Sequence, residues 1–179
     1  GECPLHRRKP EMIREKNYFF RLTKYRDALL AYIEAHPEFI QPTSRRNEII
    51  NYITNHLEDV SISRQSQKWG IPVPGDESQV LYVWFDALIN YISVIGFGTD
   101  DTQFKKFWPA QVQLVGKDII KFHCALWPAM LMAADIAIPE RVFAHGFFTI
   151  DGQKMSKSLG NVVDPVTTAQ KYTKDALRY

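Results

Sequence analysis

The chain has 179 residues, of which 45% are hydrophobic and 23% are charged, and its formal net charge is +2. This length supports one domain with a real core, and a charge so near to balance excludes wholesale coating of nucleic acid, so any nucleic-acid contact has to be local. No apolar run reaches the ~18–20 residues of a membrane span and no secretory signal opens the chain, so we expect no membrane partner and a cytoplasmic location. The two cysteines, Cys3 and Cys124, do not indicate a disulfide.

The first segment carries a cysteine and a histidine at close spacing. Cys3 and His6 could both reach one zinc ion from a tight turn, but a closed structural site needs four ligands. No further Cys or His lies close enough in sequence to complete an obvious set of four. A zinc half-site and a loop with an incidental Cys and His both stay open as interpretations.

Two helices are predicted next, and both are interpreted as packing elements. Apolar residues recur at helical spacing over residues 23–35, and His36-Pro37 ends that pattern. Pro42 opens a second helical pattern, which runs to about residue 56. Arg64 follows in a predicted loop, where an isolated arginine is usually solvated.

From residue 80 onward, strand and helix patterns alternate. Apolar strands are predicted at 80–85, 112–116 and 141–150, and helices at 86–95, with Asp86 as N-cap, 119–134 and 165–179. This alternation predicts an α/β fold with a parallel sheet and crossover helices. In such sheets ligands bind beyond the carboxyl ends of the strands, so one edge is expected to gather Trp84, Asp86, Gly116, Asp118, His145, Gly146 and the loop 151–161. Neither the dinucleotide fingerprint nor the phosphate-loop motif is present, which counts against a dinucleotide oxidoreductase and an ordinary phosphate-loop NTPase.

The loop at 151–161 carries two lysines three residues apart, Lys154 and Lys157, among small hydroxyl residues and between glycines. Glycines let a backbone approach an anion and move, and ammonium groups meet charge that grows in a transition state. Such a loop suits the binding and release of a polyphosphate. For an arbitrary loop of this composition, a solvated surface loop is the commoner interpretation.

The string Lys-Met-Ser-Lys-Ser at 154–158 resembles the KMSKS signature of class I aminoacyl-tRNA synthetases. The wider chain resembles the methionyl-tRNA synthetase family through ordered runs at 3–6, 17–20, 61–64, 82–87, 115–119, 122–123, 127–128, 145–146 and the signature loop. The resemblance implies the second half of a Rossmann-like class I sheet, preceded by the tail of the inserted connective domain. It divides the chain into the end of the zinc-knuckle insertion (1–22), a helical segment leading back to the catalytic core (23–65), the second half of the nucleotide-binding fold (66–150), and the KMSKS loop with the following helix (151–179).

The activity that this resemblance implies is ATP-dependent activation of methionine to methionyl-adenylate, followed by transfer to tRNA(Met). It implies that Lys154 and Lys157 clamp the phosphates and that Arg64 helps to hold the leaving pyrophosphate. The implied nucleotide-binding residues are Gly116 and Asp118 at the ribose, His145 and Gly146 at the adenine, and Ser156. The implied methionine-binding residues are Trp84, Ala87, Leu88, Tyr91, Ile119 and His123. Mg²⁺ is expected with ATP, and the complete protein could hold Zn²⁺ through Cys3 and His6.

Several of these residues also have ordinary structural interpretations. Without the resemblance, Asp118 would be a helix N-cap, His145 a strand residue buried by packing, and Trp84 and Tyr91 core aromatics.

Parts of the family pattern are missing from this sequence. The His-Ile-Gly-His motif, the first strand, the earlier cysteine pair and the helical anticodon-binding domain are absent, and both ends look cut. We therefore expect a piece of a larger protein, with little or no activation activity alone. A non-catalytic synthetase-like module that binds nucleotide or tRNA, and a sister synthetase for another aliphatic amino acid, are the alternatives. The sequence leaves open whether the protein is a monomer or a homodimer.

Overall fold

A computed structural model describes residues 14–156 and 160–179 of the chain. Three residues with predicted roles, Cys3, His6 and Lys157, lie outside the described residues. The chain divides into two compact units, one ending at Ala144 and the other running from His145 to Tyr179. No helix in the described ranges is long and apolar enough to cross a membrane.

The elements alternate between short strands and helices. The helices are α1 (Arg26–Ala35), α2 (Thr43–His56), α3 (Val83–Ser93), α4 (Asp101–Phe107), α5 (Trp127–Ala133), α6 (Pro165–Tyr172) and α7 (Lys174–Arg178). The strands are β1 (Phe19–Phe20), β2 (Ile40–Gln41), β3 (Val60–Ser61), β4 (Ser63–Arg64), β5 (Pro72–Val73), β6 (Asp76–Leu81), β7 (Gln113–Gly116), β8 (Val142–His145), β9 (Thr149–Ile150) and β10 (Gln153–Lys154). Tighter or wider helical turns lie at Leu22–Tyr25 and Lys117–Ile119 (3₁₀) and at Phe122–Leu126 (π).

A three-stranded sheet in the order β2-β8-β7 organises the first unit, and β2 runs parallel to β8. This arrangement confirms the predicted α/β class with a parallel sheet and helices. The third strand of the sheet is Ile40–Gln41 and not the segment 80–85, which was predicted to fill that place. A two-residue strand between two helices leaves no local pattern, because its strand character comes from pairing, as when the Val142 N–H donates to the Phe39 carbonyl at 2.7 Å.

The prediction of a buried strand at 80–85 is wrong. Strand β6 ends at Leu81 and pairs antiparallel with β4 and β5, and α3 begins at Val83 with Tyr82 as its N-cap. Asp86 therefore lies in the first turn of α3 and is not its cap, and neither Trp84 nor Asp86 follows a strand of the parallel sheet. A continuously apolar run fits a buried strand and a buried helix equally, so periodicity could not separate the two.

The predicted strand at 141–150 is also shorter than expected, because β8 ends at His145 and β9 belongs to a separate hairpin with β10. Asp151 and Gly152, at the turn, have φ values of +50° and +78°. Positive φ at both central residues is what a two-residue type I′ hairpin turn requires, and Asp-Gly is one of its preferred pairs. Lys154 consequently lies on a hairpin strand.

The other predicted elements are largely confirmed. Helices occupy 26–35 and 43–56, β7 occupies the strand predicted at 112–116, and the helix predicted at 119–134 is present with a π turn at its start. The helix predicted at 165–179 is interrupted at Thr173, whose φ of +79° separates α6 from α7.

Two buried clusters form the core of the first unit. In the first, apolar residues of α1 and α2 pack with the parallel sheet and the π turn, and Ile53 and Val142 are completely buried. In the second, Leu88 and Ile92 of α3 pack against Trp127 and neighbouring residues of α5. The second cluster holds the first turn of α3 beside the π turn that precedes α5.

Replacing Ile53 with Ala tests the first cluster. Ile53 is 0% exposed, and removing a buried isoleucine side chain costs about 2–5 kcal/mol through lost transfer free energy and the cavity left behind. Urea unfolding followed by circular dichroism measures the free energy of unfolding. Val94→Ala is the control, because Val94 is 74% exposed and its loss is expected to change stability by less than about 0.5 kcal/mol.

Candidate active site

An aromatic stack joins α3 to the π turn. The indole of Trp84 lies parallel to the ring of Phe122, with centroids 4.1 Å apart and an interplanar angle of 10°. The ring of His123 meets Trp84 edge-on at 6.5 Å. Trp84 is half-buried, so the stack presents a flat apolar surface without being enclosed by the core. Phe122 was not among the predicted site residues.

The buried imidazole of His123 is held in one tautomer by its two partners. Its Nδ1 lies 3.0 Å from the carbonyl oxygen of Ile119, which can only accept, so Nδ1 carries the proton. Nε2 then accepts the hydroxyl hydrogen of Tyr91 at 2.9 Å. Burial lowers the pKa of His123, an effect that the bond to Ile119 opposes to a smaller extent. Burial also raises the pKa of Tyr91, so this pair is neutral near pH 7.

The structure therefore brings Trp84, Tyr91, Ile119 and His123 together. The other two residues predicted to bind methionine are placed differently. Ala87 lies exposed on α3, three residues after Trp84, whereas Leu88 is 1% exposed and belongs to the second core cluster.

Gly116 is the last residue of β7, and Asp118 follows it two positions later in the chain. A Cβ atom at Gly116 would lie 2.7 Å from Oδ1 of Asp118, closer than real Cβ contacts come. The backbone here has an ordinary φ of −69°, so glycine provides room for the carboxylate and not an unusual conformation. Asp118 lies within the 3₁₀ turn, which has Gly116 as its N-cap and no side-chain cap, so the N-cap interpretation of Asp118 is wrong.

Arg64 lies on strand β4 and is half-buried, contrary to the prediction of a solvated loop residue. Its Nη1 donates to Oγ of Ser61 at 2.9 Å and to the carbonyl of Ser63 at 2.6 Å. The guanidinium carbon stands 4.1 Å from the centroid of the Tyr82 ring. Neither Ser61 nor Tyr82 was predicted as a site residue.

In the second unit, His145 and Gly146 lie at its start and are exposed. The Nδ1 atom of His145 is 2.7 Å from the Gly146 carbonyl, and the space that a Cβ at Gly146 would occupy is open. His145 is thus not buried by packing, and that alternative is wrong. The ammonium of Lys154 stands 3.7 Å from the centroid of the Phe147 ring.

Asn161 connects the two sides of the lysine loop. Its Oδ1 accepts the Ser156 N–H at 2.8 Å and its Nδ2 donates to the Lys154 carbonyl at 3.2 Å. One side chain thereby links residues on both sides of the segment 157–159, which lies outside the described residues. The sequence contained a signal for this role, because asparagine side chains commonly bond to nearby backbone in loops.

Metal ligands are not clustered in the described part of the chain. Within residues 14–156 and 160–179, no group of three or more His, Cys, Asp or Glu side chains could hold a metal ion. The predicted zinc ligands Cys3 and His6 lie outside these ranges.

A parallel sheet, a carboxylate just after a strand end and a lysine-bearing hairpin are features that the resemblance to class I tRNA synthetases predicts. The family model described as tRNA synthetases class I (M) matches residues 1–179. The chain belongs to this family.

Named relatives agree with the match. The methionine–tRNA ligase of Thermotoga maritima is 51% identical over 177 residues, which are 99% of this chain and 28% of that protein. The methionine–tRNA ligase of Caldanaerobacter subterraneus subsp. tengcongensis is 54% identical over 180 residues, covering 100% of this chain and 28% of that protein. The chain therefore spans only 28% of the length of these relatives.

Solved structures show the same fold. Mycobacterium tuberculosis methionyl-tRNA synthetase bound by methionyl-adenylate superposes with a TM-score of 0.87 at 51% identity, covering 92% of this chain and 32% of that one. The free state of that enzyme gives a TM-score of 0.81 at 47% identity, with the same coverage.

The buried His123 predicts a dependence of stability on pH. Its pKa is lowered in the folded protein, so the unfolded chain binds more protons at this position and the free energy of unfolding falls as the pH drops below about 6.5. Thermal unfolding at pH 7.5 and pH 5.5 measures this loss. A His123→Gln variant is expected to lose less stability over the same interval, and an equal loss in both proteins would contradict the assignment.

Proposed function

We propose that the protein activates methionine with ATP to form methionyl-adenylate and then transfers the methionine to tRNA(Met). The observation that carries the proposal is the Trp84–Phe122 stack beside the Tyr91–His123 pair, in a chain that belongs to the class I (M) family. The named relatives are methionine–tRNA ligases, and the superposed structure holds methionyl-adenylate.

The side chain of methionine fits the chemistry of this surface. A thioether is polarisable, and its contacts with aromatic rings contribute about 0.3–1.5 kcal/mol each. The Tyr91 hydroxyl gives its hydrogen to His123, so it presents oxygen lone pairs and no free donor to a bound side chain. Ala87 and Ile119 would contribute apolar contacts, and Leu88 would support α3 from the core. A pocket of this kind rejects norleucine and homocysteine poorly, because they differ little in size and polarity.

The ribose and adenine would be bound at two places. The Asp118 carboxylate can accept hydrogen bonds from two ribose hydroxyls. Gly116 has no Cβ atom, so the carboxylate can occupy the space beside it. His145 and Gly146 offer an open backbone segment against which an adenine ring could pack.

The reaction is an in-line displacement at the α-phosphorus of ATP. A carboxylate oxygen of methionine forms the new P–O bond, the bond to the bridging oxygen breaks, and pyrophosphate leaves with the electron pair. Arg64, Lys154 and Lys157 would stabilise the negative charge on the leaving group, with Ser156 as a hydrogen-bonding residue of the loop. The residues of this chain thus contribute positioning and charge.

The remaining partners belong to the same proposal. Mg²⁺ would arrive with the phosphates of ATP. Zn²⁺ would bind through Cys3 and His6 together with ligands from elsewhere in the protein. A cytoplasmic location would suit the transfer of methionine to tRNA(Met).

Methionine-dependent exchange of pyrophosphate into ATP, measured on the full-length protein, tests the activity. Exchange is expected with methionine but not with leucine or valine. A Lys154→Ala variant is expected to lose at least about tenfold in rate, which is about 1.4 kcal/mol of transition-state stabilisation.

Lys171→Ala is the matched control, because Lys171 is an exposed lysine of α6 in the same unit. It is expected to exchange at the wild-type rate. Absence of exchange with every amino acid would contradict the proposal and favour the non-catalytic module.

Replacing Gly116 with Ala tests the ribose site. The added Cβ would displace the Asp118 carboxylate, so the KM for ATP is expected to rise about tenfold in exchange. Thermal stability is expected to hold, since the backbone conformation suits alanine.

The Asp118→Ala background separates a displaced carboxylate from other effects of the same substitution. In the Asp118→Ala protein the added methyl has no carboxylate to displace. Adding Gly116→Ala to that protein is therefore expected to leave its KM for ATP unchanged. A large additional effect in that background would show that the methyl acts by another route.

A further inference from the structure

The aromatic ring of Tyr82 lies against the guanidinium group of Arg64. The guanidinium carbon is 4.1 Å from the ring centroid, within the distance at which an arginine is attracted to an aromatic face. In the antiparallel pairing of β4 with β6, Arg64 lies opposite Val80, and the next pair is Ser63 with Leu81. Tyr82, two residues beyond Val80, is therefore a diagonal neighbour of Arg64 on the same face.

The backbone of Tyr82 is held from both directions. Its N–H donates to the carbonyl of Ile62 at 2.8 Å, and its own carbonyl accepts from the N–H groups of Phe85 and Asp86 at 2.9 and 3.1 Å. The last two bonds are the start of α3, for which Tyr82 is the N-cap. These hydrogen bonds fix the backbone from which the Tyr82 ring projects, at the junction between the sheet and α3.

The guanidinium group is constrained on one face and at one nitrogen. Tyr82 covers the face, while Ser61 and the carbonyl of Ser63 take hydrogen bonds from Nη1. Among the described residues, every side-chain hydrogen bond of Arg64 uses Nη1, which leaves Nη2 and Nε as donors for an anion. A planar group held in this way keeps its free donors in a constant direction. The carboxylate of Glu15 lies within electrostatic reach, because its pKa is lowered by a hydrogen bond to Ser66 and, to a smaller extent, by the charge of Arg64.

We propose that Tyr82 is a positioning residue, which orients Arg64 toward the β- and γ-phosphates of ATP, the pair that leaves as pyrophosphate. This inference rests on the proposed function, in which Arg64 binds that group. An unrestrained arginine side chain loses rotamer entropy when it binds an anion, and the ring removes part of that loss in advance. Tyr82 is also the N-cap of α3, the helix that contains Trp84. The same residue therefore contacts Arg64 and begins the helix that carries the Trp84–Phe122 stack.

Binding of inorganic pyrophosphate with Mg²⁺ to the full-length protein, measured by isothermal titration calorimetry, tests the proposal without requiring catalysis. Tyr82→Leu is expected to raise the Kd by about three- to tenfold, the range of a cation–π contact. Tyr82→Phe keeps the aromatic face and is expected to stay within about twofold of the wild type. In exchange assays, the loss is expected in the KM for pyrophosphate more than in kcat.

A double-mutant comparison separates positioning from a general structural role. If Tyr82 acts through Arg64, Tyr82→Leu has no further effect on the Kd in an Arg64→Ala background. Phe107→Leu is the control, because the ammonium of Lys106 stands 5.1 Å from the centroid of the Phe107 ring, a cation–π contact elsewhere in the fold, on α4. That variant is expected to bind pyrophosphate normally.

Three results would overturn the proposal: a Tyr82→Leu effect that persists without Arg64, a Tyr82→Phe variant as weak as Tyr82→Leu, or an Arg64→Ala variant with wild-type affinity. Failure of the proposed function has a different signature. Absence of methionine-dependent exchange in the wild type would remove the ligase activity, while the pyrophosphate titrations would still decide whether Tyr82 positions Arg64.

Discussion

The residues that we propose to bind methionine depend on one constraint, which is the packing of α3 against α5. Leu88 and Ile92 are buried against Trp127 and Met130, and burying side chains of this size stabilises the fold by about 1.5–3 kcal/mol each. Because this contact sets where α3 lies, it also sets where Trp84 meets Phe122 and where Tyr91 reaches His123. The surface that we propose to bind methionine therefore rests on an ordinary apolar core.

The π turn at Phe122–Leu126 adds a local distortion at the same place. A π turn widens the helix by one residue and is found frequently at functional sites. Here it contains both Phe122, the partner of the indole stack, and His123, whose imidazole is oriented by the Ile119 carbonyl. Neutral polar groups with satisfied hydrogen bonds can be buried without the large penalty of a charge, which is why a histidine is tolerated at 2% exposure.

The groups that we propose to bind ATP are arranged by different means. Asp118 depends on the absence of a side chain at Gly116, Arg64 depends on Tyr82 and two serines, and the lysine loop depends on a type I′ turn and on Asn161. In each case neighbouring groups restrict a side chain or loop that would otherwise be free. Preorganised charge of this kind needs little rearrangement when negative charge develops on a leaving group.

The sequence by itself determined the family, the α/β class, the end of α1, the approximate bounds of α2 and β7, and the list of candidate residues. These are properties that motifs and periodicity carry locally. It did not determine that Ile40–Gln41 completes the parallel sheet, because two residues become a strand only through the partner that they pair with. It also misassigned residues 80–85, since an unbroken apolar run fits a strand and a helix alike.

Only the tertiary structure decided which residues stand next to the candidates. Phe122 beneath Trp84 and Tyr82 beneath Arg64 are contacts between elements that are distant in the chain or on opposite sides of a turn. Such pairs leave no periodic trace in a single sequence, because their geometry follows from how the strands register and how the helices pack.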